Sequence, residues 1–249
     1  MVDANYTVGR DINLYATLGF SDGKTVFTKW SNPNESISTA FNYVGKTYGE
    51  IWGFETAGFF ADAADVTKSP SQATLQAGNF TYGPGDIKFK DLNGDGTIYN
   101  GDNTLSNHGD MKVIGNSTPR YSYGFNAHAT WNKIDVSVFF QGVGKRDFWP
   151  GVESGIFWGF YNRWNQPVYD HIYGNYWTPD HTDAYFPKPR AYIASHAGSA
   201  LYYPQTRYLQ NAAYLRLKNI SIGYTIAAPV LARLHVTNLR VFLSGQNLL

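Results

Sequence analysis

Tyr121–Trp131 reads Y-S-Y-G-F-N-A-H-A-T-W. Its odd positions are Tyr121, Tyr123, Phe125, Ala127, Ala129 and Trp131, and its even positions are Ser122, Gly124, Asn126, His128 and Thr130. Side chains alternate faces along a strand, so this segment has one apolar, aromatic-ended face and one polar face. The pattern recurs near the start of the chain. Tyr6, Val8, Ile12, Leu14, Ala16, Leu18 and Phe20 share a face broken only by Arg10, opposite Thr7, Gly9, Asp11, Asn13, Tyr15 and Thr17. Strands of soluble domains usually run about 5–6 residues, whereas a tilted strand crosses a bilayer in roughly 9–11. The expected fold is all-β: antiparallel strands forming part of a large transmembrane β-barrel, apolar toward lipid and polar toward the lumen.

Composition agrees. Of 249 residues, 17% are aromatic and only 16% charged, against about 25% charged in a typical soluble domain. Aromatic girdles account for such a balance. So does a soluble, calcium-stabilised carbohydrate-binding β-domain, the alternative reading. Mean hydropathy is −0.35, and no apolar run reaches the length of about 18 residues that marks a membrane helix. A net charge of +1 gives no electrostatic case for nucleic acid, and the absence of Cys excludes disulfides and thiolate metal sites. Met1–Asn5 has neither a basic region nor an apolar stretch, so it is no signal peptide.

Six strands are expected, over about 5–20, 24–30, 119–131, 134–141, 212–226 and 238–247. Ser21-Asp22-Gly23 and Asn132-Lys133 are tight-turn signals. In the fifth strand the apolar phase changes between Leu215/Leu217 and Ile220/Ile222/Tyr224, which a β-bulge near Lys218-Asn219 would accommodate. The connections alternate short and long. Placing 21–23, 132–133 and 227–237 in the periplasm leaves 31–118 and 142–210 as long extracellular loops. By this parity one more strand is needed to return, so the chain is expected to be truncated at both ends.

Several stretches carry a family likeness. They are N-A-A-Y-L-R-L-K-N-I-S-I-G-Y-T-I over 211–226, L-R-V-F-L-S-G-Q-N-L over 239–248, and G-D-I-K-F-K-D-L-N-G-D-G-T-I over 85–98. T-P-R-Y-S-Y-G over 118–124, F-F-Q-G over 139–142 and Y-W-T-P-D-H-T-D-A-Y-F-P-K-P-R over 176–190 complete the set. In their order and spacing, from about Phe41 to Leu249, the chain resembles the C-terminal part of the SusC/RagA family of TonB-dependent outer-membrane transporters of Bacteroidetes. The resemblance implies an outer-membrane barrel of roughly 22 strands, with an N-terminal plug and a TonB box that this chain lacks. It also implies a SusD-like surface lipoprotein as partner, and glycan oligomers or peptides as cargo. A siderophore-type receptor would have the same fold.

Two groups of residues are candidate sites. Asp91, Asn93, Asp95, Thr97 and Asp102 stand at the spacing of an EF-hand-type loop, whose oxygen ligands can wrap one structural Ca²⁺. Asp replaces Glu at the last position, and no helix flanks the loop. The other reading is an Asx/Gly turn capping its own backbone. Trp149, Trp158, Trp164 and Trp177, with Tyr161, Tyr173, Tyr176 and Tyr185 among them, suit stacking on sugar rings or a protein partner. Against this stands self-packing of the loop. No cofactor is required and no enzyme signature is present. The six His show no ligand spacing, Gly142-Val143-Gly144-Lys145 lacks the spacing of a phosphate loop, and Asp170, Asp180 and Asp183 near His171 and His181 define no acid–base pair.

Overall fold

The computed structural model describes residues 1–76, 78, 80–151, 153–163, 165–190, 199–226, 236 and 239–248. The chain forms two compact units. One comprises Met1–Lys24, Pro119–Arg146 and Ala212–Leu249, and the other Thr25–Thr118 and Asp147–Asn211.

The first unit is a six-stranded antiparallel sheet in chain order: β1 (Val2–Val8), β2 (Ile12–Ser21), β3 (Arg120–Trp131), β4 (Ile134–Lys145), β5 (Tyr214–Ile226) and β6 (Leu239–Gln246). Its register assembles the sequence alternation into continuous rows. Leu14, Ala129, Val136, Ile222 and Leu243 pair across five strands. The next rows are Ala16, Ala127, Val138, Ile220 and Gly245, and then Leu18, Phe125, Phe140 and Leu217. The row Ile12–Trp131–Ile134–Tyr224 lies at one margin and Phe20–Tyr123–Gly142–Leu215 toward the other. A rise of about 3.4 Å over eight residues puts roughly 27 Å of strand between Trp131 and Tyr123. A tilted strand of that length spans the apolar band of an outer-membrane barrel. The opposite face carries Tyr15, His128, Ser137, Ser221 and Ser244 in one row. On the same face Arg240 reaches Asp135 at 2.5 Å through the space that Gly223 leaves.

The bulge expected in the fifth strand is present: the β5–β4 register shifts between Leu217 and Asn219. It puts Leu217 and Ile220 on the same face, so the apolar rows cross β5 unbroken.

Two expected strands differ. Residues 5–20 are not one strand but a hairpin, β1 and β2, turning at Gly9 (φ 64°), Arg10 and Asp11. Paired residues in a hairpin share a face, and Val8 pairs with Ile12. A three-residue turn therefore preserves the even-numbered apolar phase. Residues 24–30 add no strand to the sheet. Val26 instead forms an isolated bridge with Thr47, supported by Phe27 N–H to Lys46 O at 2.9 Å. The short turns at 9–11 and 132–133, the end of β5 and the start of β6 share one margin of the sheet. Ser21 pairs with Ser122 at the other margin, so 21–23 begins a long connection rather than a short turn. Arg120 grips Asp22 there in a bidentate ion pair. Most of 227–237 lies outside the described residues.

In the second unit both long connections fold into one core. Phe54, Leu75, Phe80, Ile87, Phe89, Ile98 and Met111 come from the first connection; Trp158, Tyr161, Ile172, Phe186, Leu201 and Tyr208 come from the second. Short ladders frame it: Glu50–Phe54 with Met111–Asn116, Thr56–Phe59 with Ile87–Phe89, and Asp147–Phe148 with Gln210–Asn211. Two buried polar groups, Gln72 and Asp86, are paired across segments. Gln72 donates to Ile87 O at 3.0 Å and accepts from Phe89 N–H at 2.6 Å. Asp86 binds Arg190 through Nε at 3.1 Å and through a second nitrogen at 2.5 Å. Burial raises the Asp86 carboxyl above its ordinary value despite that partner. Packing is close at Gly85 (φ +84°), where a Cβ would stand 2.3 Å from the Trp177 ring.

Candidate functional site

The structure sorts the sequence-derived tryptophans by burial. Trp158 is fully buried, donates to Pro150 O at 2.8 Å, and meets Trp149, Phe157 and Tyr208 edge-on. Trp177 is also buried, against Gly85. These two are core residues rather than contact surfaces, because the connections have to bury their own apolar side chains to hold a fixed shape. Trp164 lies outside the described residues. Trp149 is partly buried and lines a cleft.

The Asp91–Asp102 loop follows the turn geometry named for it. The Asp91 carboxylate accepts from Gly94 N–H at 2.6 Å and Gly96 N–H at 2.8 Å, which lowers its pKa. Asn93 accepts from Asp95 N–H, and Asp95 from Thr97 N–H. Asp102 accepts from Asn107 at 2.8 Å. Buried Asp110 clasps the loop from below, taking Leu92 N–H at 2.8 Å and Tyr99 N–H at 3.0 Å, while Ile98 sits in the core. Among the described residues no three acidic or histidine side chains gather to hold a metal ion.

Among the described residues the remaining sequence features are scattered. Gly142–Lys145 is the end of β4, with Gly142 against the Tyr123 ring. His181 stands 3.5 Å from a largely exposed Asp183, and His171 faces Phe157 O at 3.1 Å. His196 and His235 lie outside the described residues.

A cleft of about 730 Å³ lies within the second unit, where no sequence motif points. Trp52, Trp149, Tyr202, Tyr203, Phe148 and Met111 form its apolar lining; Glu50, Lys46, Asn100 and Asn103 are among its polar groups. Glu50 accepts from Tyr43 Oη at 2.6 Å and Thr47 N–H at 2.7 Å, and Trp52 Nε1 donates to Tyr43 Oη at 3.1 Å. Burial and the Glu50 hydrogen bond push the Tyr43 hydroxyl up to about 12. Lys46, almost fully buried, donates to Phe41 O at 2.6 Å and lies over the Tyr43 ring, and burial lowers its pKa. These residues come from segments remote in sequence, so no spacing could announce them.

A long-stranded antiparallel sheet with one continuous apolar face and short turns along one margin has the architecture of outer-membrane barrel wall. The chain is a distant homologue of TonB-dependent receptors. It is 28% identical over 216 residues to TonB-dependent receptor P3 of Formosa agariphila, covering 82% of this chain and 18% of that protein. It is 26% identical over 165 residues to TonB-dependent receptor P26 of the same organism, covering 66% and 15%. The chain thus spans less than a fifth of the length of these relatives. No family model matches it. Its fold recurs within a chain of the RagAB peptide transporter structure, with a TM-score of 0.63 and 18% identity, over 99% of this chain and 24% of that one.

Proposed function

We propose that this chain is part of an outer-membrane importer energised through TonB, which takes up peptides or glycan oligomers together with a SusD-like surface lipoprotein. The sheet contributes barrel wall, its apolar rows toward lipid and its Ser/Thr/Asn-rich face toward the lumen. The second unit is extracellular and contributes to cargo or partner contact. No catalytic step belongs to this chain. The self-capped Asp91–Asp102 loop, with or without calcium, serves to hold the second unit rigid.

The observation that carries this reading is the row-by-row apolar face combined with the alignment to receptor P3. The soluble carbohydrate-binding alternative requires that face to be buried under a second sheet. Val241 and Leu243 are instead 58% and 79% exposed.

The test is an immunoblot of fractionated source cells with an antibody against this chain. The expected signal is in the outer membrane and changes mobility between boiled and unboiled samples. A soluble species indifferent to boiling would overturn the reading.

A further inference from the structure

The cleft of the second unit carries one cationic and one anionic side chain, Lys46 and Glu50, which are partnered differently. At about 730 Å³ it has the size of a small-ligand site, and Trp52, Phe148, Trp149, Tyr202 and Tyr203 place aromatic rings among its walls. Of its two charged residues, Glu50 is already engaged, each carboxylate oxygen accepting one hydrogen bond from the protein. Lys46 is different. It is 6% exposed, yet among the described residues its ammonium has one carbonyl, Phe41 O, and one aromatic face, Tyr43, and forms no ion pair. Glu50 attracts it through space without touching it, and desolvation outweighs that attraction. A desolvated ammonium without a counter-ion in contact is unfavourable unless an anion arrives to meet it. Desolvation also strengthens its attraction for that anion.

We infer that this cleft is a binding site for a carboxylate-bearing oligomer, its carboxylate set against Lys46 and its body laid on the rings of Trp52, Trp149 and Tyr203. The carboxylate belongs to an acidic peptide or to a uronate-containing glycan. Planar ring faces accept either a peptide plane or the C–H face of a sugar, and Asn100 and Asn103 supply hydrogen bonds to its polar edge. The importer reading supplies only the purpose of such binding; the binding itself rests on the cleft.

The test is calorimetric titration of the full-length receptor purified in detergent. The probes are an acidic tetrapeptide with its fully amidated twin, and a uronate oligomer with its methyl ester. At least one acid form is expected to bind at least tenfold more tightly than its capped twin, and which pair does so identifies the source of the carboxylate. Lys46→Gln is expected to abolish that preference and Lys46→Arg to keep it. Should Lys46→Gln not fold, the wild-type acid-versus-capped comparison still decides, together with Trp149→Ala, which is expected to weaken the acid probe at least fivefold. Equal binding of acid and capped probes, or no binding of any, overturns the inference. A heat-modifiable outer-membrane receptor indifferent to carboxylate would sink this site and leave the importer reading standing. A soluble species that prefers the acid probe would do the reverse.

Discussion

Glu55 joins three segments of the second unit, accepting from both Lys90 and Lys112. Those two hydrogen bonds hold its carboxyl near about 2, below the ordinary 4.5. A depressed carboxylate pKa stabilises the fold above the unfolded-state value, and that contribution is lost as pH falls through the folded-state value. The window is therefore roughly pH 4.5 down to 2. Asp65 and Asp91, whose pKa values are also lowered, act in the same direction, whereas Asp86, raised by burial, acts oppositely. Glu55→Gln is expected to reduce the acid-limb slope without abolishing it, measured as unfolding midpoint against pH; an unchanged slope would show that the two lysines do not act through this carboxylate. At the Asp91–Asp102 loop the oxygens a cation would need are engaged with Gly94, Gly96, Thr97 and Asn107. Millimolar CaCl2 or EDTA is expected to leave the melting temperature of the receptor unchanged. A rise of several degrees with CaCl2, lost in Asp91→Asn, would favour the calcium reading instead. The sequence could not separate the two, since an Asx turn and a calcium loop use the same residues at the same spacing.

At the scale of elements, β5 is decided by one inserted residue. Leu215 and Leu217 lie on odd positions and Ile220, Ile222 and Tyr224 on even ones, yet the shift between Leu217 and Asn219 brings all five to the apolar face. Deleting Lys218 without other change removes the insertion and leaves the two halves of the strand facing oppositely. The expected outcome is loss of the heat-modifiable form in the outer membrane, with Lys218→Ala behaving as wild type because length rather than side chain matters. Normal assembly of the deletion would refute this account of the bulge. The bulge was legible in the sequence because a strand that keeps one face apolar across a change of phase must carry an extra residue at the change. The β1–β2 hairpin was not, because its turn preserves parity. Gly9-Arg10-Asp11, with Arg10 interrupting the apolar series, was the available signal. The second unit was less legible still. Its core draws Phe54 and Phe89 together with Trp158, Phe186 and Tyr208 from two connections lacking regular periodicity, so composition revealed how many tryptophans there are but not which were buried. The lining of the cleft likewise joins Trp52 to Tyr202 and Tyr203, a juxtaposition that only tertiary packing creates.

For the whole molecule, the question is what covers the apolar face: lipid or another protein layer. Both would punish a charge. Val138 lies in the middle of the rows, between Ala127 and Ile220, and an arginine at the midplane of a membrane barrel costs about 2–4 kcal/mol on its lipid face. Val138→Arg is therefore expected to reduce recovery of the assembled receptor, while Ser137→Arg, on the opposite face, is tolerated. A packed second sheet would produce much the same pair of results, so charge alone does not discriminate. Volume does. A close-packed interface resists added methylenes at roughly 1–3 kcal/mol, whereas fluid acyl chains move aside. Ala127, on the same face, pairs with Ala16 and Val138. Ala127→Leu is expected to leave the urea midpoint for loss of the heat-modifiable form within error of wild type, and Val138→Arg to lower it. Only a lipid-facing wall satisfies both results. If Ala127→Leu is as damaging as Val138→Arg, the face is covered by protein and the barrel-wall assignment fails.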